Sequence, residues 1–121
     1  MKKILIVEDE KILRDAYKEI LTQEGFAVTG TGDGKQALAK LATTKPDLIL
    51  LDILMPEMDG VAFLRAARLP KNYPHTKVIA FSNLSDQQKL EDMLELGVTD
   101  NVLKSSLSPK QLVELIRRLL T

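Results

Sequence analysis

The sequence predicts an α/β fold in which five parallel strands form a sheet that is covered by helices on both faces. Two observations support this fold. Short apolar runs alternate with amphipathic segments along the 121-residue chain, which is the pattern of repeated strand–helix units. The apolar runs also lack the polar–apolar alternation of a half-exposed strand, as expected when both faces of a sheet are buried. We therefore expect one domain, residues 1–121.

The first strand–helix unit occupies the N-terminal part of the chain. Residues 4–7 are Ile-Leu-Ile-Val and predict a buried strand. Residues 11–24 carry apolar side chains three and four positions apart, which predicts an amphipathic helix, and Gly25 supplies its end. The side chains expected on its inner face are Ile12, Leu13, Ala16, Tyr17, Ile20 and Leu21.

The second unit leads into the third strand. Residues 26–29 predict a short strand that is followed by a glycine-rich turn. Asp33 is a candidate N-cap for a helix that runs to about residue 42, because aspartate accepts hydrogen bonds from the first backbone amides of a helix. The inner face of this helix is predicted to hold Ala37, Leu38 and Leu41. Pro46 then breaks the chain before a strand at residues 48–51.

The same patterns predict the remaining elements. They are a helix that follows the loop 53–60 and ends near residue 69, a fourth strand at 77–81, a helix at 86–96 and a fifth strand at 101–103. Ser108 and Pro109 indicate the start of the last helix, since they provide an N-cap side chain and a proline at the first helical position. Its expected inward residues are Leu112, Leu115, Ile116 and Leu119.

The composition excludes several functional classes. The chain has a net charge of zero and no cysteine. A neutral chain has no broad basic field for nucleic acid or anionic membrane, and the lack of cysteine removes disulfides, thiolate catalysis and zinc–thiolate sites. No apolar run approaches the ~18 residues of a membrane span. We expect a soluble cytoplasmic domain with no direct contact to nucleic acid or membrane.

Acidic residues follow two of the predicted strands. Glu8 and Asp9 come directly after the first strand, and Asp52 comes after the third. In an open parallel sheet the binding site lies beyond the carboxyl ends of the strands, where Ser82 and Lys104 are also expected. Gathered carboxylates repel one another unless a cation lies between them, and hard oxygen ligands suit Mg²⁺. The simpler alternative is that Glu8 and Asp9 are a solvated strand end and helix start, where the helix dipole favours acids.

These positions carry a resemblance to a known family. The matching motifs are Ile6-Val7-Glu8-Asp9-Glu10, Asp52-Ile53-Leu54-Met55-Pro56-Glu57-Met58-Asp59-Gly60, Ser82, and Gly97 followed by Lys104. Over essentially its whole length the chain resembles the receiver domains of two-component response regulators, the CheY-like family. The resemblance implies a flavodoxin-like, doubly wound sheet with strand order 2-1-3-4-5. It also implies a signalling switch in which Asp52 accepts a phosphoryl group from a phosphohistidine.

The resemblance further implies a metal site and a role for each of its residues. Asp9, Asp52 and the backbone carbonyl of Leu54 would ligate Mg²⁺ or Mn²⁺, and Glu8 would act through a water. The cation is needed because the attack of a carboxylate on an anionic donor is opposed by charge.

Two further residues complete the implied phosphorylation site. Lys104 would offer a point charge to one phosphoryl oxygen. Ser82 would offer its hydroxyl to another and would move when Asp52 is modified. Such a domain is not an enzyme with turnover, although it would catalyse its own phosphorylation and dephosphorylation.

The implied partners are a phosphoryl donor and an output. The donor would be a sensor histidine kinase or a phosphotransfer protein. The output would be a downstream protein or a further domain that docks on the predicted helix 86–96, the fifth strand and the last helix. Whether the chain stands alone or belongs to a longer regulator is open at this point.

Three positions depart from the family pattern. Receiver domains usually carry an aromatic residue three positions before the lysine, where this chain has Asn101, so the switch pair would be Ser82 and Asn101. The lysine is usually followed by a cis proline, where this chain has Ser105, and we expect a trans bond because cis costs roughly 2.5–4 kcal/mol without proline. Asn83 replaces a small residue and would alter access to Asp52.

Two alternative functions remain to be weighed. A binding module of the same fold that signals without phosphorylation is favoured by Asn101 and Ser105. Flavin binding is disfavoured because Glu8-Asp9-Glu10 would repel a phosphate, and a haloacid-dehalogenase-type phosphatase would need an aspartate where Leu54 stands.

Overall fold

The computed structural model describes residues 1–53, 60–82, 95–103 and 107–121, with only the backbone of Pro70 and Ser82. Five parallel strands form one sheet, as the sequence predicts, and their order is β2-β1-β3-β4-β5, as the resemblance implies. The strands are β1 at Lys3–Val7, β2 at Ala27–Thr31, β3 at Leu48–Asp52, β4 at Lys77–Ser82 and β5 at Asp100–Leu103.

Helices connect the strands and cover the sheet. Those that lie within the described residues are α1 at Lys11–Gln23, α2 at Gly34–Thr44, α3 at Gly60–Ala67, α4 at Leu69–Asn72 and α5 at Pro109–Leu120. Residues 86–94 of the predicted helix 86–96 lie outside the described residues. Within the described ranges, no helix is both long and apolar enough to cross a membrane.

The predicted helix that ends near residue 69 is divided in two. Arg68 adopts left-handed backbone angles, with φ of 50°, and separates α3 from the short α4. Pro70 explains the break, because proline removes a helical hydrogen bond and its ring clashes with the preceding turn.

The sheet separates two apolar cores, because successive side chains of a strand point to opposite faces. Leu5 and Val7 of β1 belong to the core under α2 and α3, which we call the α2–α3 face. Ile4 and Ile6 belong to the core under α1 and α5, which we call the α1–α5 face. The prediction that both faces of the sheet are buried is confirmed.

The predicted inner face of α1 is wrong at two positions. Ile12 is 85% exposed and Ala16 is exposed. The helix instead presents Leu13, Tyr17 and Leu21, which are spaced four residues apart and lie on one side. Ile12 and Ala16 each precede that stripe by one residue and lie on the outer side. Ile20 stands in the same relation to Leu21 but is half-buried and packs against the core on the α1–α5 face, as predicted.

The helix ends follow the predicted signals. Gly25, with φ of +94°, ends α1 in a conformation that other residues rarely adopt. The Gln36 amide donates to the Asp33 carboxylate over 2.8 Å, so Asp33 caps α2. Ser108 and Gln111 form a reciprocal capping box at α5.

β2 is longer at its carboxyl end than predicted. The expected glycine-rich turn after residue 29 is wrong, because Gly30 and Thr31 continue the strand opposite Ile6 and Val7. The buried Thr31 hydroxyl donates to the Ile6 carbonyl over 2.7 Å, and the Glu8 amide donates to the Thr31 carbonyl over 3.0 Å. The extra residues of β2 therefore fix the backbone at the end of β1.

Candidate functional site

Three carboxylates meet at the carboxyl edge of the sheet. Glu8 and Asp9 follow β1, and Asp52 is the last residue of the neighbouring β3, which pairs with β1 up to Val7 and Leu51. One oxygen from each of Glu8, Asp9 and Asp52 lies within 4.8 Å of the other two. The prediction that these side chains lie close together is confirmed.

The cluster has a buried side and an exposed side. Glu8 is 3% exposed and Asp52 is 5% exposed, whereas Asp9 is exposed to solvent. The alternative in which Glu8 is a solvated strand end is therefore wrong. Burial of a carboxylate is costly unless charge and hydrogen-bonding partners compensate, so two buried carboxylates at one edge favour a site over a surface.

The backbone of Glu8 is held from two directions. Its amide donates to Thr31 on β2, and its carbonyl accepts a 2.8 Å hydrogen bond from the Arg14 guanidinium on α1. The Arg14 side chain crosses two glycines. A Cβ on Gly30 would lie 3.3 Å from Arg14 Cγ, and one on Gly32 would lie 3.2 Å from Nη1. These glycines leave the space in which arginine positions the acidic loop.

Asp52 is fixed through the backbone around it. It lies opposite Phe81 in the β3–β4 ladder, and the Ile53 amide donates to the Phe81 carbonyl over 3.2 Å. The Gly60 amide donates to the Ile53 carbonyl over 2.9 Å. A Cβ on Gly60 would lie 3.1 Å from Ile53 Cα and 3.2 Å from the Asp52 carbonyl oxygen, so a larger residue would fit here only if these backbone atoms shifted.

Several predicted site residues fall outside what the structure describes. Ser82 ends β4 opposite Leu103, at the same edge as Asp52, but only its backbone is described. Leu54 and Lys104 lie outside the described residues. Asn83 and the Lys104–Ser105 peptide bond, with its predicted trans geometry, also lie there. The roles given to these residues stay predictions.

Asn101, the predicted partner of Ser82 in the switch, is half-buried on β5. It lies opposite Ala80, which belongs to the core on the α2–α3 face. Its backbone amide donates to the Asp100 carboxylate over 2.8 Å. The polar side chain therefore stands beside an apolar core.

An aromatic pair that the sequence did not reveal borders the acidic cluster. The rings of Tyr17 on α1 and Phe81 on β4 stack with centroids 5.6 Å apart. The same small space is lined by Glu8, Tyr17, Asp52 and Phe81. Two aromatic rings therefore border this side of the site.

The donor set fits a hard divalent cation. Three carboxylates within 4.8 Å provide the charge and the oxygen atoms that Mg²⁺ and Mn²⁺ prefer, and the exposed Asp9 leaves one side open to solvent. A cation there would also offset the repulsion among the three carboxylates.

Comparison with known proteins shows what the chain resembles. The sequence profile of the response regulator receiver domain matches residues 4–117. The chain is 31% identical over 118 residues to the chemotaxis protein CheY of Thermotoga maritima, covering 97% of this chain and 96% of that protein.

Two further comparisons show a longer relative and a solved fold. The response regulator protein VraR of Staphylococcus aureus is 35% identical over 118 residues, covering 96% of this chain but 55% of VraR, so the chain spans about half of that relative. A crystal structure of a CheY-like response regulator receiver domain protein from Methanospirillum hungatei aligns with a TM-score of 0.91 at 31% identity, covering 99% of this chain and 94% of that one.

Proposed function

Because the chain belongs to the response regulator receiver domain family, we propose that it is a phosphorylation switch in which Asp52 is the phosphoacceptor. The donor is a phosphohistidine on a sensor histidine kinase or a phosphotransfer protein. The observation that carries the proposal is the convergence of Glu8, Asp9 and Asp52 within 4.8 Å at the carboxyl edge of the sheet.

The reaction is a transfer between two nucleophiles. A carboxylate oxygen of Asp52 attacks the phosphorus of the phosphohistidine, and an O–P bond forms as the P–N bond breaks. The imidazole leaves with its nitrogen lone pair and takes a proton from solvent, and Asp52 becomes an acyl phosphate. The end of β3 holds Asp52 for this attack through its ladder with β4.

The acidic cluster prepares the site for a cation. Asp9, Asp52 and the backbone carbonyl of Leu54 would hold Mg²⁺ or Mn²⁺, with Glu8 acting through a water. The cation would supply positive charge where the donor and the carboxylates bring negative charge together. Thr31 and Arg14 hold the Glu8 backbone through their hydrogen bonds to its amide and its carbonyl.

Two residues whose side chains are not described complete the proposal. Lys104 would pair with a phosphoryl oxygen, and Ser82 would donate its hydroxyl to another. Phosphorylation changes the local charge by up to about two units, which shifts the balance between two conformations that bind the phosphoryl group differently. The output surface would be formed by the predicted helix 86–96, β5 and α5.

Phosphorylation in vitro tests the acceptor directly. The protein is incubated with Mg²⁺ and either acetyl phosphate or a histidine kinase, and its intact mass is measured. We expect the mass gain of one phosphoryl group, mapped to Asp52, and no gain for Asp52→Asn or in the presence of a chelator. A gain of equal rate in Asp52→Asn would place the acceptor elsewhere.

One observation favours a second function, a binding module that signals without phosphorylation. Asn101 stands on β5 where an aromatic switch residue is usual, so the relay from Ser82 would differ from that of related domains. Partner binding that is identical for the wild type, treated or untreated with phosphodonor, and for Asp52→Asn would support the binding module. A change in partner affinity on phosphorylation would exclude it.

A further inference from the structure

The two aromatic rings beside the acidic cluster are close together and nearly parallel. The planes of Tyr17 and Phe81 are inclined by only 2°, and their 5.6 Å centroid separation is that of an offset stack. Phe81 is 5% exposed, and Tyr17 packs half-buried against the core on the α1–α5 face. The space that both rings share with Glu8 and Asp52 is too small to hold a water molecule.

We propose that the Tyr17–Phe81 stack is a positioning pair that sets the Glu8 and Asp52 carboxylates for cation binding and couples occupancy of the cluster to α1. This role rests on the proposed function of Asp52. Both aromatic residues act through the carboxylates and not on the phosphoryl group itself, so they are positioning residues and not catalytic ones.

Phe81 is coupled to the phosphoacceptor by the sheet. Asp52 and Phe81 are direct neighbours in the β3–β4 ladder, and the amide that follows Asp52, that of Ile53, donates to the Phe81 carbonyl. A displacement of the Phe81 ring therefore acts on the strand end that carries Asp52. A single hydrogen bond thus joins Phe81 to the residue that follows Asp52.

Tyr17 makes the corresponding connection to α1. Its ring lines the same space as the buried side chain of Glu8. Arg14, one helical turn earlier on α1, donates to the Glu8 carbonyl. α1 is thus attached to Glu8 at the backbone and beside its side chain, so movement of that residue is transmitted to the helix.

The narrowness of this space makes the geometry of its lining important. Charges interact more strongly where the surroundings are apolar than where water screens them. If a ring is removed, water enters beside two buried carboxylates and each gains freedom to move. Loss of an ordinary core contact would change only the stability of the fold. Loss of a positioning pair would also change the affinity of the cluster for a cation.

Tyrosine fluorescence reports on this contact directly. The chain has two tyrosines and no tryptophan, so Tyr73→Phe leaves Tyr17 as the only emitter at tyrosine wavelengths. In that background we expect Mg²⁺, and then beryllium trifluoride as a phosphoryl mimic, to change the Tyr17 emission in a saturable way. The titration also gives the Kd for Mg²⁺.

Two substitutions at Phe81 remove the stack. Phe81→Leu shortens the side chain, and Phe81→Met retains most of its volume without a ring, which protects the test against a variant that does not fold. We expect either change to raise the Kd for Mg²⁺ roughly 3- to 10-fold, the factor that corresponds to the value of one aromatic pair. The emission change of Tyr17 should fall with it.

Phe26→Leu is the matched control. Phe26 is 8% exposed and lies in the same core, but it precedes β2 and so lies at the opposite edge of the sheet. We expect Phe26→Leu to lower Tm about as much as Phe81→Leu and to leave the Kd for Mg²⁺ unchanged.

The outcomes separate this inference from the proposed function. If the wild type gains a phosphoryl mass while Phe81→Leu and Phe81→Met keep its Kd, the positioning role is wrong and the acceptor role stands. An equal rise in Kd for Phe26→Leu would likewise reduce the stack to ordinary packing. A wild type that neither binds Mg²⁺ nor gains mass would overturn both.

Discussion

Replacement of Asp9 by asparagine removes one charge from the acidic cluster with little change in packing. Asp9 is exposed, whereas Glu8 and Asp52 are buried, so the substitution opens no cavity. Asparagine is close in shape to aspartate but carries no charge. The variant therefore isolates the electrostatic contribution of Asp9, and we expect a more stable protein without metal and a weaker response to Mg²⁺.

The magnitude follows from the distances within the cluster. Two unit charges 4.8 Å apart repel by about 0.9 kcal/mol in water and about 3.5 kcal/mol at an effective dielectric constant of 20. Asp9 lies on the solvent side, so the repulsion energy for water applies to its interaction with each of the two buried carboxylates. The Asp9 side chain can also rotate away from them, which lowers the repulsion further. We expect Asp9→Asn to raise the free energy of unfolding by about 1 kcal/mol. For 121 residues this corresponds to a Tm rise of about 4 °C.

Excess Mg²⁺ should make the wild type more stable than Asp9→Asn, the reverse of the order expected without metal. A ligand that binds only the folded state raises Tm according to its concentration relative to Kd. Loss of a charged ligand should weaken Mg²⁺ binding at least as much as loss of a group that only orients a ligand, about 10- to 100-fold. Thermal unfolding in chelator and in excess Mg²⁺ should therefore show a large Tm increase for the wild type and a small one for Asp9→Asn.

Asp15→Asn is the matched control for this experiment. Asp15 is also exposed and lies on α1, where its carboxylate pairs with Lys11 over 2.7 Å outside the cluster. This variant should keep the full Mg²⁺-induced increase in Tm. If Asp9→Asn keeps it as well, Asp9 is not a ligand. If Asp9→Asn is no more stable than the wild type in chelator, charge repulsion within the cluster does not destabilise the folded protein.

Four further outcomes are expected. Asp52→Asn should abolish phosphorylation while circular dichroism shows an intact fold, and a retained phosphoryl mass gain would contradict its role. Thr31→Val removes the buried hydrogen bond to the Ile6 carbonyl and should cost about 1 kcal/mol in urea unfolding; an unchanged midpoint would show that the bond contributes nothing. Gly60→Ala brings a methyl group within 3.2 Å of backbone atoms. It should lower stability by about 1–3 kcal/mol, although alanine has the better helix propensity. A stabilised variant would show that the neighbouring backbone shifts to make room. The hydrogen bond from Lys11 lowers the pKa of Asp15 below its ordinary 3.8. The ionised Asp15 therefore stabilises the folded protein above pH 3.8, and this stabilisation is lost as the pH falls through the folded-state pKa. Thermal melts of wild type and Asp15→Asn should therefore converge in acid, and a difference that widens there would contradict the sign.

Much of the fold was predictable because its signals are local. Asp33, Ser108 and Gly25 mark helix ends by chemistry that depends only on neighbouring residues, and the structure places a cap or a left-handed residue at each. The continuous apolar runs predicted strands buried on both faces, which the two cores confirm. The break at Arg68 could also have been predicted, since Pro70 follows closely.

Other features depend on contacts between distant segments, and the local sequence indicates them only weakly. Ile12 and Ala16 fit an amphipathic pattern as well as Leu13 does, and only the packing of α1 on the sheet decides which side is inward. Gly30 looked like a turn residue, yet β1 pairs with it and Arg14 fills the space above it. The spacing of Gly30 and Gly32, two residues apart on one side of a strand end, is the one sign that a large side chain would cross there.

The acidic residues were identifiable because they conflict with their surroundings. A buried strand that ends on a carboxylate opposes the tendency of charge to remain in water, and Glu8 and Asp52 do this on neighbouring strands. Such conflicts are expected at functional sites, where the rest of the fold compensates for them. Arg14, Tyr17 and Phe81 provide support around those carboxylates, and each satisfies the ordinary rules of packing and hydrogen bonding. For that reason a sequence reveals the buried acidic residues of a site more readily than the residues that hold them in place.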